Sequence, residues 1–238
     1  MKFLDIDSPF MNALGKMADL MWLNVLTLVC CIPIFTAGAS LTAMHYMVLK
    51  IVRNEEGYIT RGFFKSFKEN FKQGTAIWFL LLFAVLVFAG DFYIIHKSET
   101  EFHLIIKCII VAAAVLVVFT ATFVFPVLAK FENTVKQTIK NAFVMSIVQF
   151  PKTILMIIAS AVPVVVALLS YKVMPLVLLF GLSGPAWIGA LLYNKFFKNL
   201  EEKILQESGE NQEVHLEEED ERIFKDEIEI VPDRHENE

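Results

Sequence analysis

Residues 20–72 carry the reading that decides the fold. Leu20-Met21-Trp22-Leu23-Asn24-Val25 opens an apolar run, and Cys31-Ile32-Pro33-Ile34-Phe35-Thr36-Ala37-Gly38-Ala39-Ser40 interrupts it. A second helical run, Leu41 to Val52, ends in the charged segment Arg53-Asn54-Glu55-Glu56-Gly57-Tyr58. Gly62-Phe63-Phe64-Lys65-Ser66-Phe67-Lys68-Glu69-Asn70-Phe71-Lys72 then mixes aromatics with lysines. Pro33 removes a backbone donor and Gly38 loosens the chain, so a break is expected between them. Two geometries fit: one long kinked helix that crosses a bilayer, or two half-helices in a re-entrant hairpin that returns to its starting side. A break at membrane depth survives only where protein or water satisfies the freed backbone. It is therefore a packed elbow or a site, and the packed elbow is the expectation.

Working outward, composition puts the whole chain in a bilayer. Of 238 residues 56% are hydrophobic, 22 are Phe, and mean hydropathy is +0.56. Soluble domains hold about 45–50% apolar residues, and a span needs about 20. The expected architecture is all-α, a polytopic membrane helix bundle over residues 1–200. Its five spans are read at about 20–36, 76–95, 104–129, 153–170 and 173–193. Pro163 is expected to kink the fourth, and Gly181, Ser183, Gly184 and Gly189 suit close packing in the fifth. Phe63, Phe64, Phe67 and Phe71 lie opposite Lys65, Lys68 and Lys72. That is the pattern of a helix in the membrane surface, with aromatics in the acyl boundary. Two such interfacial helices are read, at about 60–72 and 132–149, and a lead-in helix carries Phe10, Leu14 and Met17.

The net charge of −5 averages two unlike regions. Residues 201–238 hold 16 acids against four bases, a net of −12, which leaves +7 on residues 1–200. The tail is read as solvated and disordered, with a little apolar alternation from Ile223 to Val231. Lys and Arg gather after the first, third and fifth spans, whereas the other loops hold only Lys97, Lys107 and Lys172. The basic loops and the tail are therefore read as cytoplasmic. Five spans put the N-terminus outside, and a re-entrant first segment puts it inside. Ala37-Gly38-Ala39 fits a cleavage pattern, but Asp5, Asp7 and Asp19 contradict a basic leader, so a retained first segment is expected. A weak repeat at an offset of 72 lays Phe67-Lys68-Glu69-Asn70-Phe71 over Ile139-Lys140-Asn141-Ala142-Phe143.

No catalytic constellation is legible: no phosphate loop, no H-E-x-x-H and no G-x-S-x-G. Cys30, Cys31 and Cys108 sit in apolar runs without metal spacing. His45 reads as a satisfied or interfacial histidine. Basic-aromatic interleaving is better explained by lipid than by nucleic acid, because a membrane span follows directly. Asp91, an acid within an apolar run, is a functional candidate; the structural alternative pairs it with Lys107 or Lys172.

The chain resembles the YesL-like family of small bacterial membrane proteins, whose domain has no known function. The residues that carry the resemblance are Asp19 to Asn24, Ile32 to Ser40, Leu49 to Arg53, Glu55 to Tyr58 and Phe63 to Gln73. It is dense over about residues 10–95, while the tail is this chain's own extension. It implies Gram-positive bacteria, a multi-pass place in the plasma membrane, and genes near carbohydrate uptake systems. It supplies no catalytic residue. Candidate functional or structural residues are Asn24, Pro33, Gly38, Ser40, Arg53, Glu55, Glu56, Gly57, Phe67, Asn70, Phe71 and Asp91. The expectation is a non-enzyme without cofactor, an accessory or regulatory component of carbohydrate uptake. Its partners are the lipid bilayer and sugar ABC transporter or membrane sensor subunits, with no nucleic acid. The alternative is a small transporter or channel working as a homo-oligomer, with Asn24, Thr27, Asp91 and Thr120 available to line a path.

Overall fold

The computed structural model describes the backbone at residues 9–55, 57–97 and 103–229, and the side chains of these from residue 10 through residue 206. Glu56 lies outside the described residues. Two units are present, residues 1–193 and 194–238. The described residues form nine α-helices and no strand. In the first unit α1 is Pro9–Cys31, α2 Ala37–Arg53, α3 Ile59–Glu69, α4 Phe71–Lys97, α5 Leu104–Lys130, α6 Val135–Val148, α7 Phe150–Leu169 and α8 Met174–Phe180. Helix α9 starts at Ser183 and ends at Glu229. The tail is read from sequence as starting in a continued helix before a disordered acid run. Helix α9 continues through that run to Glu229, where Glu, Lys, Leu and Gln are strong helix formers, and residues 230–238 lie outside the described residues. Of the alternation read over 223–231, the side chains lie outside the described residues.

Five helices, α1, α2, α4, α5 and α7, are long and apolar enough to span a bilayer. A sixth span arises if α8 and α9, bent by 50° at Gly181–Leu182, count as one. The protein is thus an all-α, multi-pass membrane protein. Lead-in and first span are a single helix, α1, whose Phe10, Leu14 and Met17 are exposed. Helices α5 and α7 run unbroken through Pro126 and Pro163.

The break at Pro33 makes a hairpin. Helix α1 stops two residues before Pro33, which has no N–H to extend the ladder. The Thr36 hydroxyl turns back onto the carbonyls of the break, 2.5 Å from Cys30 O and 2.7 Å from Pro33 O, which also accepts from Thr36 N at 3.0 Å. Ser40 Oγ donates to Thr27 O across the pair at 3.0 Å, and Lys16 Nζ donates to Asn54 Oδ1. The start of α1 therefore lies beside the end of α2, which excludes a single kinked helix. The hairpin thus puts the start of α1 and the end of α2 at the same end of the bundle.

Each short helix doubles back along the helix before it. Helix α3 sets Gly62 against Met47 and buries Ile59, Phe63 and Ser66. Phe63, read as facing lipid, is fully buried, while Phe64 stays exposed. Helix α6 buries Thr138, Ala142, Met145 and Ser146, mainly on α5, and exposes Phe143, Val144, Ile147 and Val148. The runs α2–α3–α4 and α5–α6–α7 thus share one order, long–short–long. Their junctions, Asn70 and Gln149, lie 79 residues apart rather than 72.

Helix α2 is the hub, touching α1, α3, α4 and α5. It meets α4 backbone to backbone. A Cβ on Gly38 would run into Gly74 O and stand 2.7 Å from Trp78 Cβ, and one on Gly74 would stand 3.0 Å from Ala39 Cα. Gly57 has open space around its Cα and no positive φ. Gly38→Ala should therefore cost about 2 kcal/mol or more and lower the unfolding midpoint in detergent. Gly57→Ala should leave it unchanged.

Candidate functional site

Most residues that the sequence singled out hold backbone together, and they do not converge. The tightest of these arrangements is built on Asn24, which is wholly buried on α1. Its Nδ2 donates to Leu178 O at 2.7 Å. Its Oδ1 accepts from Leu182 N at 2.9 Å and Ser183 N at 2.8 Å. One side-chain amide thus satisfies a carbonyl of α8 and two N–H groups at the start of α9. This is how a helix broken at Gly181–Leu182 can exist away from water.

Pro33 and Ser40 set the α1–α2 hairpin, and Gly38 sets its contact with α4. Arg53 closes α2. Asn54, not singled out, follows it at φ 55, the left-handed cap that asparagine tolerates. Glu55 N donates to Lys50 O at 2.9 Å, completing that cap. Phe67 packs its ring on Phe63 at 6.2 Å and Phe71 at 5.6 Å. Asp91 is half-buried on α4 and makes no ion pair with Lys107 or Lys172 among the described residues, so the expected pairing is absent. His45, read from sequence as a satisfied or interfacial histidine, is partly exposed on α2, and its Nδ1 is enclosed without a hydrogen-bond partner.

The polar concavity is elsewhere. A cleft of about 760 Å³ lies between the ends of α2 and α5, α3, the start of α4 and the start of α6. Of the nominated residues only Asn70 lines it. Asn70 Nδ2 donates to Ser66 O at 3.0 Å, and Asn70 O receives Gly74 N at 2.7 Å across the α3–α4 junction. Around it stand Tyr46, Gln73 and Gln137, with the acids Glu69 and Glu132 balancing Lys65 and Lys130. Lys65 and Glu69 approach to 4.0 Å on the surface of α3. The far wall is fixed by a capping box. Thr134 N donates to Gln137 Oε1 at 3.1 Å, and Gln137 N donates to Thr134 Oγ1 at 3.5 Å. The Thr-x-x-Gln spacing at 134–137 is a legible helix start. Balanced charges and several amides suit a neutral polar surface rather than an anion. Among the described residues no three His, Cys, Asp or Glu side chains are placed to hold a metal.

Asn24→Leu leaves three buried backbone groups unsatisfied and should cost about 1–3 kcal/mol. Hydrogen exchange at the amides of Leu182 and Ser183 should accelerate before the rest of the bundle. Asp91→Asn should not change the unfolding midpoint.

No curated protein and no solved structure matches the chain. A family model described as "Protein of unknown function, DUF624" matches residues 20–92, from α1 through α2 and α3 to near the end of α4.

Proposed function

We propose that this chain is a non-catalytic, multi-pass protein of a bacterial plasma membrane. In this reading it acts as an accessory or regulatory component of carbohydrate uptake, binding sugar ABC transporter or membrane sensor subunits. The observation that carries an interaction role is the 760 Å³ cleft beside Lys65 and Lys130. Lys and Arg mark the cytoplasmic side of short membrane loops, so the cleft faces the cytoplasm, where an uptake system couples to energy and regulation. The YesL-like resemblance supports the carbohydrate connection. The hairpin brings the N-terminal end of α1 to the same side as Arg53, and the tail follows inside as well.

A second reading, a small transporter acting as a homo-oligomer, is favoured by the discontinuous α8–α9 pair. Broken helices often form solute sites in transporters.

Purification of the full chain in mild detergent should recover transporter or sensor subunits, and Gln73→Arg with Gln137→Arg in the cleft should release them. A lone protein in both preparations argues against the accessory role. Uptake of labelled sugar into vesicles holding only this chain would instead favour the second reading. Cysteines placed at positions 12 and 205 should both react with a membrane-impermeant maleimide only after the cells are opened.

A further inference from the structure

Another open cleft among the described residues lies where α1 meets the start of α3, with a volume of about 800 Å³. Asp19 and Trp22 of α1 line one wall, and the chain from Gly57 to Arg61, with Phe64, lines the other. Trp22 Nε1 donates to Thr60 Oγ1 at 2.9 Å, which ties the two walls together and fixes the indole. Asp19 on α1 and Arg61 on α3 thus bring opposite charges to opposite walls. Beside them Trp22, Tyr58 and Phe64 are exposed, Tyr58 to 85%.

The position of this cleft narrows what can occupy it. Asp19 is the last charge before the apolar run of α1, so the cleft lies at the membrane boundary of that helix. Trp and Tyr gather at such boundaries. That accounts for the exposed rings, but not for an acid and a base on opposite walls. From the cleft, Trp22, Leu26 and Val29 follow at i, i+4 and i+7, one face of α1 that runs into its apolar half. Trp22 and Val29 are exposed on that face, and Leu26 is half-buried. Two opposite charges at the head of an apolar strip match an amphiphile with a zwitterionic head.

We propose that this cleft binds the headgroup of a zwitterionic phospholipid, phosphatidylethanolamine. The phosphate accepts from the Arg61 guanidinium, whose planar fork of N–H donors suits it. The ammonium donates to Asp19, with the Trp22 and Tyr58 rings beside it as cation–π partners. Asp19 has a partner within the chain, and a carboxylate accepts from several donors at once, so it receives the ammonium as well. One acyl chain follows Trp22, Leu26 and Val29. A head with net negative charge, such as phosphatidylglycerol, gains the same contact with Arg61 but is repelled by Asp19. The volume lies within the ~300–1,000 Å³ common for small-molecule sites. This assignment stands apart from the carbohydrate reading and from the cytoplasmic cleft.

The test uses the full chain in nanodiscs of phosphatidylethanolamine and phosphatidylglycerol in equal amounts with matched acyl chains. Native mass spectrometry of the released protein should show phosphatidylethanolamine retained in preference. A photoreactive phosphatidylethanolamine should cross-link to peptides holding Trp22 or Tyr58. Arg61→Gln and Asp19→Asn should each lower retention about tenfold, the factor that one charge-assisted hydrogen bond supplies. Asp19→Lys should turn the preference toward phosphatidylglycerol, because a second base then replaces the acid. Should the Asp19 variants fail to fold, Arg61→Gln and Tyr58→Ala carry the test, since both side chains are exposed. Equal retention of the two lipids, or cross-linking that is spread over α4, α5 and α7 and indifferent to these variants, would mean annular lipid only and overturn the site. Preferential retention of phosphatidylglycerol by the unsubstituted chain would overturn the zwitterionic head.

Discussion

Backbone N–H and C=O groups cannot be left bare in hydrocarbon, and this bundle breaks its helices repeatedly. The Asn24 amide is the clearest answer to that constraint, because one side chain serves both sides of the α8–α9 break. The same device recurs at three other breaks of the first unit in simpler form. Thr36 turns onto Cys30 O at the hairpin tip, and Asn70 onto Ser66 O where α3 meets α4. Thr153 reaches Ser146 O and Gln149 O where α6 meets α7. A short polar side chain gives a carbonyl at a helix end a donor that water cannot supply in a bilayer.

Once the breaks are stable, the helices can fold back on themselves, and close packing becomes the second requirement. Apolar attraction between helices is weak in lipid, so association depends on backbone proximity. Gly38 and Gly74 provide it where α2 crosses α4. The result is a central α2 that is far more buried than the other candidate spans. Residues such as Ser40, Thr42 and Thr27 are buried there without penalty, since each hydroxyl donates to a nearby carbonyl.

That hub also divides two of the concavities among the described residues. Tyr46 lines the polar cleft, and His45, its neighbour in sequence, lines an uncharged one of about 350 Å³ between α2, α5, α7 and the α8–α9 break. Consecutive helical residues point about 100° apart, so one helix walls both spaces. One cleft is rich in amides with balanced charge, the other almost wholly apolar with three hydrogen-bonding groups.

What was legible beforehand follows from one-dimensional signals. Hydropathy and length determined the all-α membrane bundle, and the elements near 76–95, 104–129 and 153–170 match α4, α5 and α7 because apolar runs of that length have no other stable form in a bilayer. Pro33 and Gly38 marked the elbow, since proline lacks a donor and glycine lacks a Cβ. The side of return was not legible, because Lys16–Asn54 and Ser40–Thr27 are contacts between distant residues. For the same reason Phe63 looked lipid-facing: a Phe/Lys helix reads alike whether its aromatic face meets lipid or another helix. Both clefts were hidden, as Tyr46, Gln73 and Gln137 are ordinary polar residues until α3 and α6 double back. Asn24 reads in sequence as one of four polar residues available to line a path, and only the tertiary structure gives it a task at the α8–α9 break. Its partners lie more than 150 residues away, and hydrogen-bond geometry over that separation is a property of packing alone.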